Sequence, residues 1–209
     1  MDGTILYIHG RGGSAGEAAR YRALCPGNRV LGLDYHGTTP WETREEILAA
    51  YDGLRRRDRD IIVAANSIGA YFAMNALQGK EISRALFVSP ILDMEELICA
   101  LLRRSGLSEA ALAEKREIET PFGETLSWDY LCYVRAHPIV WTAPTCILRG
   151  ERDDMTSRGT VQAFAERHGA EVTVLPGGEH WFHTEEQMAF HDAWVRRCLA
   201  AADDGRGTF

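Results

Sequence analysis

Apolar residues in this chain come in short runs that stop at glycine, proline or aspartate, with longer mixed stretches between them. Thr4-Ile5-Leu6-Tyr7-Ile8 runs into Gly10-Arg11-Gly12-Gly13, and Val30-Leu31-Gly32-Leu33 ends at Asp34 and Gly37. Asp60-Ile61-Ile62-Val63-Ala64-Ala65 is almost continuously apolar, as expected of a strand covered on both faces. Ala85-Leu86-Phe87-Val88 stops at Ser89-Pro90, Cys146-Ile147-Leu148 at Gly150, and Val172-Thr173-Val174-Leu175 at Pro176-Gly177-Gly178. These runs predict strands of a mainly parallel six-stranded sheet, with the intervening segments as helices on its two faces.

The helical stretches carry their own period. Val161, Phe164, Ala165 and His168 fall at i, i+3, i+4 and i+7, and Gly169 supplies a stop. Phe190, Trp194, Val195 and Cys198 repeat that spacing after Thr184-Glu185-Glu186-Gln187, a capping box. Between Pro90 and Pro144 no strand run is read. Helical patterns over Met94 to Arg104 and Glu109 to Ile118, with a Pro-Phe-Gly turn at Pro121, predict a helical insertion over 91–143. There is no internal repeat. The tail from Asp203 to Phe209 is expected to be mobile.

Composition narrows the class without naming a function. The 209 residues suit one domain with a buried core, and 45% hydrophobic with 25% charged residues is ordinary for a soluble fold. A net charge of -7 and a pI near 5.5 argue against a nucleic-acid surface, which needs concentrated lysine and arginine. The run Arg55-Arg56-Arg57 with Arg59 is broken by Asp58 and Asp60 and reads as a solvated helix end. Cys25, Cys99, Cys132, Cys146 and Cys198 are scattered and show no metal-ligand spacing, so free thiols are expected. No secretory signal follows Met1 and no run approaches membrane-spanning length, so a cytoplasmic protein is expected. Nothing in the sequence fixes an oligomeric state.

The chemistry gathers at the predicted strand ends. Ser67 follows the Asp60–Ala65 run almost at once, and a helix with the stripe Ile68, Phe72 and Ala76 begins directly after it. At such a sharp turn the hydroxyl is thrust out above the sheet, and the amide of the next residue faces the same space. Ala65 and Gly69 are small where a side chain would collide. A helix N-cap serine would look the same locally, and Ala-Asn-Ser-Ile-Gly alone does not separate the two. His9-Gly10-Arg11-Gly12-Gly13 ends the first strand with a loop able to present amide donors, or alternatively a phosphate cradle. Asp34 at the next strand end keeps a dinucleotide reading open, but the glycine spacing suits it poorly and the Walker pattern is absent.

Two later strand ends carry an acid and a base. Gly150-Glu151-Arg152-Asp153-Asp154 and Gly177-Gly178-Glu179-His180 both lie at the carboxyl edge of the sheet, where such folds bind ligands. A serine needs a base to become nucleophilic, and a histidine serves best when a carboxylate holds its other nitrogen. His183 is the rival for His180, which is preferred because it directly follows the glycine turn.

With these four segments in this order, the chain resembles an α/β-hydrolase-fold serine hydrolase over essentially its whole length. The resemblance implies a three-layer sheet with a helical lid, Ser67 as nucleophile, His180 as base and Asp153 as the orienting acid. Its spacing favours Asp153 over Asp154. It implies an oxyanion hole from the backbone amides of Ile68 and Arg11, a structural role for His9, and no metal or organic cofactor. The expected partner is a small-molecule acyl substrate, with a carboxylic ester as the default; thioester, amide or carbon–carbon substrates would use the same triad. A non-catalytic scaffold that binds a small molecule or protein is the alternative. Ala65 stands where the family usually has glycine, and the sheet begins at the family's third strand, a trimmed form. Trp128, Tyr130 and Tyr133 in the insertion, and Trp181 and Phe182 after the histidine, are expected to serve packing.

Overall fold

The computed structural model describes residues 3–204, with side chains as far as residue 200. In chain order it contains β1 (Thr4–Ile8), α1 (Ala18–Leu24) preceded by a 3-10 turn at Ala15–Glu17, β2 (Arg29–Leu33), α2 (Pro40–Arg55), β3 (Ile61–Asn66), α3 (Ile68–Leu77) and β4 (Arg84–Val88). Then come α4 (Met94–Arg104), α5 (Glu109–Lys115), β5 (Glu117–Glu119), β6 (Thr125–Ser127) and α6 (Trp128–Ala136). The chain closes with β7 (Thr145–Gly150), α7 (Arg158–His168), β8 (Glu171–Leu175) and α8 (Glu185–Asp204). The helix α8 takes in the first two residues of the tail expected to be mobile; the rest of that tail lies outside the described residues.

The six-stranded sheet has the order β2-β1-β3-β4-β7-β8, and every neighbouring pair is parallel. Its burial follows from that order. The strands β1 and β7 are buried throughout and β3 and β4 nearly so, while the edge strands β2 and β8 are largely open. Period-2 alternation divides the inner strands between two layers. Ile5, Tyr7, Ile62, Ala64, Leu86, Val88 and Leu148 join Ala18 and Tyr21 of α1 and Trp194, Val195 and Cys198 of α8 in one core. On the other side α3 packs on β1 and β3, with α2 against it. Capping fits the sequence reading at α8, where Thr184 Oγ1 accepts from Gln187 N at 3.2 Å.

The chain divides into two compact units, one up to Leu92 and from Val140, the other Asp93–Ile139. The second unit corrects the expectation of helices alone. β5 and β6 form an antiparallel hairpin, Glu117 facing Ser127 and Glu119 facing Thr125, and the helix expected to reach Ile118 stops at Lys115. The Pro121-Phe122-Gly123 segment is the turn of that hairpin, with Gly123 at φ +79°. Within this unit Arg135 of α6 donates to both carboxylate oxygens of Glu109 and to Glu95. All five cysteines are free, with Cys25, Cys146 and Cys198 buried. No described helix is long and apolar enough to cross a membrane.

Candidate active site

β3 ends at Asn66 and α3 starts at Ile68, so Ser67 makes the whole strand-to-helix connection. Its backbone stands at φ 50°, ψ −123°, a region that costs a non-glycine residue roughly 1–3 kcal/mol. The strain is held from both sides by the end of β4 and the chain that follows it. Ser67 N donates to Val88 O at 3.0 Å, and Ile91 N donates to Ser67 O at 3.1 Å. Although Ser67 occupies the cap position of α3, its side chain makes no capping bond. The hydroxyl lies instead 2.9 Å from His180 Nε2. The side-chain capping bond that the helix-cap alternative would supply is therefore not made.

A close approach of backbones underlies this turn. A Cβ on Gly69 would stand 2.3 Å from His9 O and 2.7 Å from Ile8 O, so only glycine lets α3 begin against the end of β1. That packing sets the Gly10–Gly13 loop beside Ser67. Gly10 lies so near that an added Cβ would be 3.2 Å from the Ser67 Cβ. Ile68 opens α3, where a first-turn amide has no acceptor within its own helix. The exposed Arg11 lines a cavity that opens at Ser67.

His180 and Asp153 arrive from two loops tied together by their backbones. Glu151 N donates to Leu175 O at 2.9 Å and Arg152 N to Gly178 O at 2.8 Å. Their side chains reinforce this: Arg152 Nε donates to Gly177 O, and Glu151 accepts from Gly177 N. Gly150 permits the approach, since its Cβ would fall 2.4 Å from Gly178 O. His180 Nδ1 lies 2.9 Å from Asp153 Oδ1. A carboxylate can only accept, so Nδ1 carries the proton and Nε2 is left as the acceptor facing the serine hydroxyl.

Asp153 has a nearly inaccessible side chain, at 1%, whereas that of His180 is 23% exposed. Burial pushes the Asp153 carboxyl up. The hydrogen bond and charge of His180, the Met155 amide and the Arg149 cation outweigh it, and the group ends below the ordinary carboxylate range. Met155 N donates to Asp153 Oδ1 at 3.0 Å, so one carboxylate oxygen takes two donors.

The rival residues lie apart from this arrangement. Asp154 is exposed, and the exposed His183 turns its Nδ1 to Trp181 O at 3.0 Å. His9 is buried, donates to Gly10 O at 2.8 Å and stacks on Tyr35 at 4.2 Å. Phe182 is buried as expected, but Trp181 is 74% exposed and does not pack in the core. A loop tip needed to carry His180 outward leaves its neighbour outside as well.

A cavity of about 830 Å³ opens at Ser67, and its lining comes from the first unit. Apolar walls from Val88, Met155, Phe182 and Met188 meet a polar side made by Tyr7, Glu17 and Asn66. Sequence reading passed over these three. Asn66 Nδ2 donates to Tyr7 Oη at 2.9 Å, and Tyr7 in turn donates to Glu17. The residue beside Ser67 is thus fixed by a chain of hydrogen bonds whose members lie 59 and 10 positions apart.

Comparison with known proteins agrees with this architecture. None of the curated proteins matches the sequence at a significant level. Among solved structures, Est1E from Butyrivibrio proteoclasticus is similar at a TM-score of 0.77 and 20% identity, covering 97% of this chain and 89% of its own. The mouse alpha/beta hydrolase domain-containing protein 10 gives 0.73 at 15% identity, covering 96% and 92%. An esterase from Pyrococcus furiosus gives 0.65 at 22% identity, covering 96% and 82%. The alpha/beta hydrolase family matches residues 5–193, and the chain belongs to that family.

Proposed function

We propose that this protein is a serine hydrolase that cleaves a small carboxylic ester, or a related acyl bond, through an acyl-enzyme. The observation that carries the reading is the continuous path Ser67 Oγ, His180 Nε2, His180 Nδ1, Asp153 Oδ1, with both links at 2.9 Å. In this reading His180 takes the Ser67 proton as the oxygen attacks the carbonyl carbon. Asp153 holds the imidazole in the tautomer with Nδ1 protonated and balances the charge that forms. The amides of Ile68 and Arg11 receive the oxyanion. Collapse of the tetrahedral species expels the alcohol, which leaves with the proton from His180. Water, activated by the same imidazole, then releases the acid. The ester class rests on analogy with neighbours such as the Pyrococcus esterase.

A fluorophosphonate probe tests the chemistry directly. Wild-type protein should be labelled and Ser67→Ala should not. Hydrolysis of p-nitrophenyl esters by the variant should fall by several orders of magnitude, about 10⁶-fold in the best-studied triads. Absence of wild-type labelling, or equal labelling of the variant, would leave the non-catalytic scaffold standing. A graded panel of acyl esters and thioesters then fixes the bond type and the acyl length.

A further inference from the structure

Arg149 is an arginine inside a buried strand. It is the fifth residue of β7 and 5% exposed, between the apolar run Cys146-Ile147-Leu148 and the stop at Gly150. A buried cation is costly unless something nearby compensates its charge. One terminal nitrogen, Nη2, donates to the backbone carbonyl of Asp153 at 3.1 Å. Arg149 Nε finds no hydrogen-bond partner among the described residues, and neither does Asp153 Oδ2, the carboxylate oxygen that His180 leaves unused. A buried positive group and a buried, half-satisfied carboxylate therefore sit four positions apart, tied through the Asp153 backbone.

We propose that Arg149 is the resident countercharge of the triad acid, positioning Asp153 through its carbonyl and setting the lower pH limit of activity. The inference rests on the serine-hydrolase reading above. With Arg149 present, the buried arginine and aspartate are neutral as a pair, so a proton added to His180 creates a net positive charge beside them. Without the cation, protonated His180 faces an unopposed carboxylate and is stabilised. Activity, which needs the neutral imidazole, then fails at a higher pH. The other charged groups near Asp153 do not substitute. Arg152 and Glu151 are turned to the Gly177 backbone, Asp154 is exposed, and Arg158 of α7 is also exposed.

The test is the pH dependence of kcat/KM for an ester that the wild type hydrolyses, in Arg149→Met and Arg149→Lys. Arg149→Met should move the acid limb upward by about one pH unit, the shift typical of losing one nearby charge, and recover activity on the alkaline plateau. Arg149→Lys keeps the charge and should hold the limb near the wild-type position. A uniform loss in Arg149→Met at every pH, with the limb unmoved, would mean that Arg149 only braces the turn, and the proposal fails. Should the methionine variant not fold, Arg149→Gln makes the same comparison, because it can still donate to the Asp153 carbonyl without charge. Wild-type protein that resists fluorophosphonate would instead defeat the triad reading; labelled protein with an unmoved limb defeats only the role of Arg149.

Discussion

Adding one methyl group at Gly69 should disable the site while leaving the fold in place. The new Cβ would meet His9 O at 2.3 Å, Ile8 O at 2.7 Å and His9 C at 3.0 Å, all backbone atoms that cannot rotate aside. Ordinary contact begins at 3.4 Å, so α3 and the end of β1 must separate by about 1 Å. Overpacking of this kind costs about 1–3 kcal/mol, and the better helix propensity of alanine returns at most about 1 kcal/mol. The protein should therefore still fold, with a lower urea midpoint. The displacement falls between Ser67 and the Arg11 amide, one on each side of the contact. Moving an oxyanion donor that far costs roughly 100-fold in turnover. Steady-state kinetics on a p-nitrophenyl ester should show this in kcat, with KM changed much less. If Gly69→Ala folds and keeps kcat within about threefold of wild type, the assignment of the Gly10–Gly13 loop to the oxyanion is wrong.

Two further outcomes test the frame around the site. Burial holds the His191 imidazole below its ordinary value of 6.5, against the opposing pull of Asp192. Between those two values the unfolded chain binds a proton here that the folded one does not, so stability should fall as the pH drops from 7 towards 5. His191→Gln should show a smaller fall in urea midpoint over that interval; an equal fall would place the source elsewhere. The lowered carboxyl of Asp192 acts in a separate window, below the ordinary aspartate range. Gly53 lies inside α2 with nothing within 4 Å of an added Cβ. Gly53→Ala should raise stability by about 0.5–1 kcal/mol in urea titration and leave hydrolysis unchanged, and a lower midpoint would contradict this account of the helix.

What could be read from the sequence was what repeats or turns sharply. Buried parallel strands are short apolar runs that stop at glycine, and in such a sheet those stops share one edge. Ser67, Asp153 and His180 could therefore be brought together on paper. The hairpin of β5 and β6 escaped because strands of three residues are too short to establish alternation. Arg149 escaped because a charged residue reads as the end of a buried strand; the carbonyl that holds it lies four positions on. The Tyr7, Glu17 and Asn66 chain depends on β1 and β3 being neighbours, a fact of topology that no local window contains.

The spacing of the candidate triad along the chain also bears on when activity can arise. Ser67 and its hydrogen-bonded histidine are 113 residues apart, and Asp153 lies in the loop after β7, a strand that follows the 93–139 unit in the chain and pairs with β4. Contacts of such long range form late, after the loops between them have closed. During synthesis Ser67 and the first four strands are made well before His180, the proposed base. The enzyme would thus be inert while nascent, and recovery of hydrolysis during refolding should lag behind recovery of helical signal. Hydrolysis would report that the last strand and helix have docked.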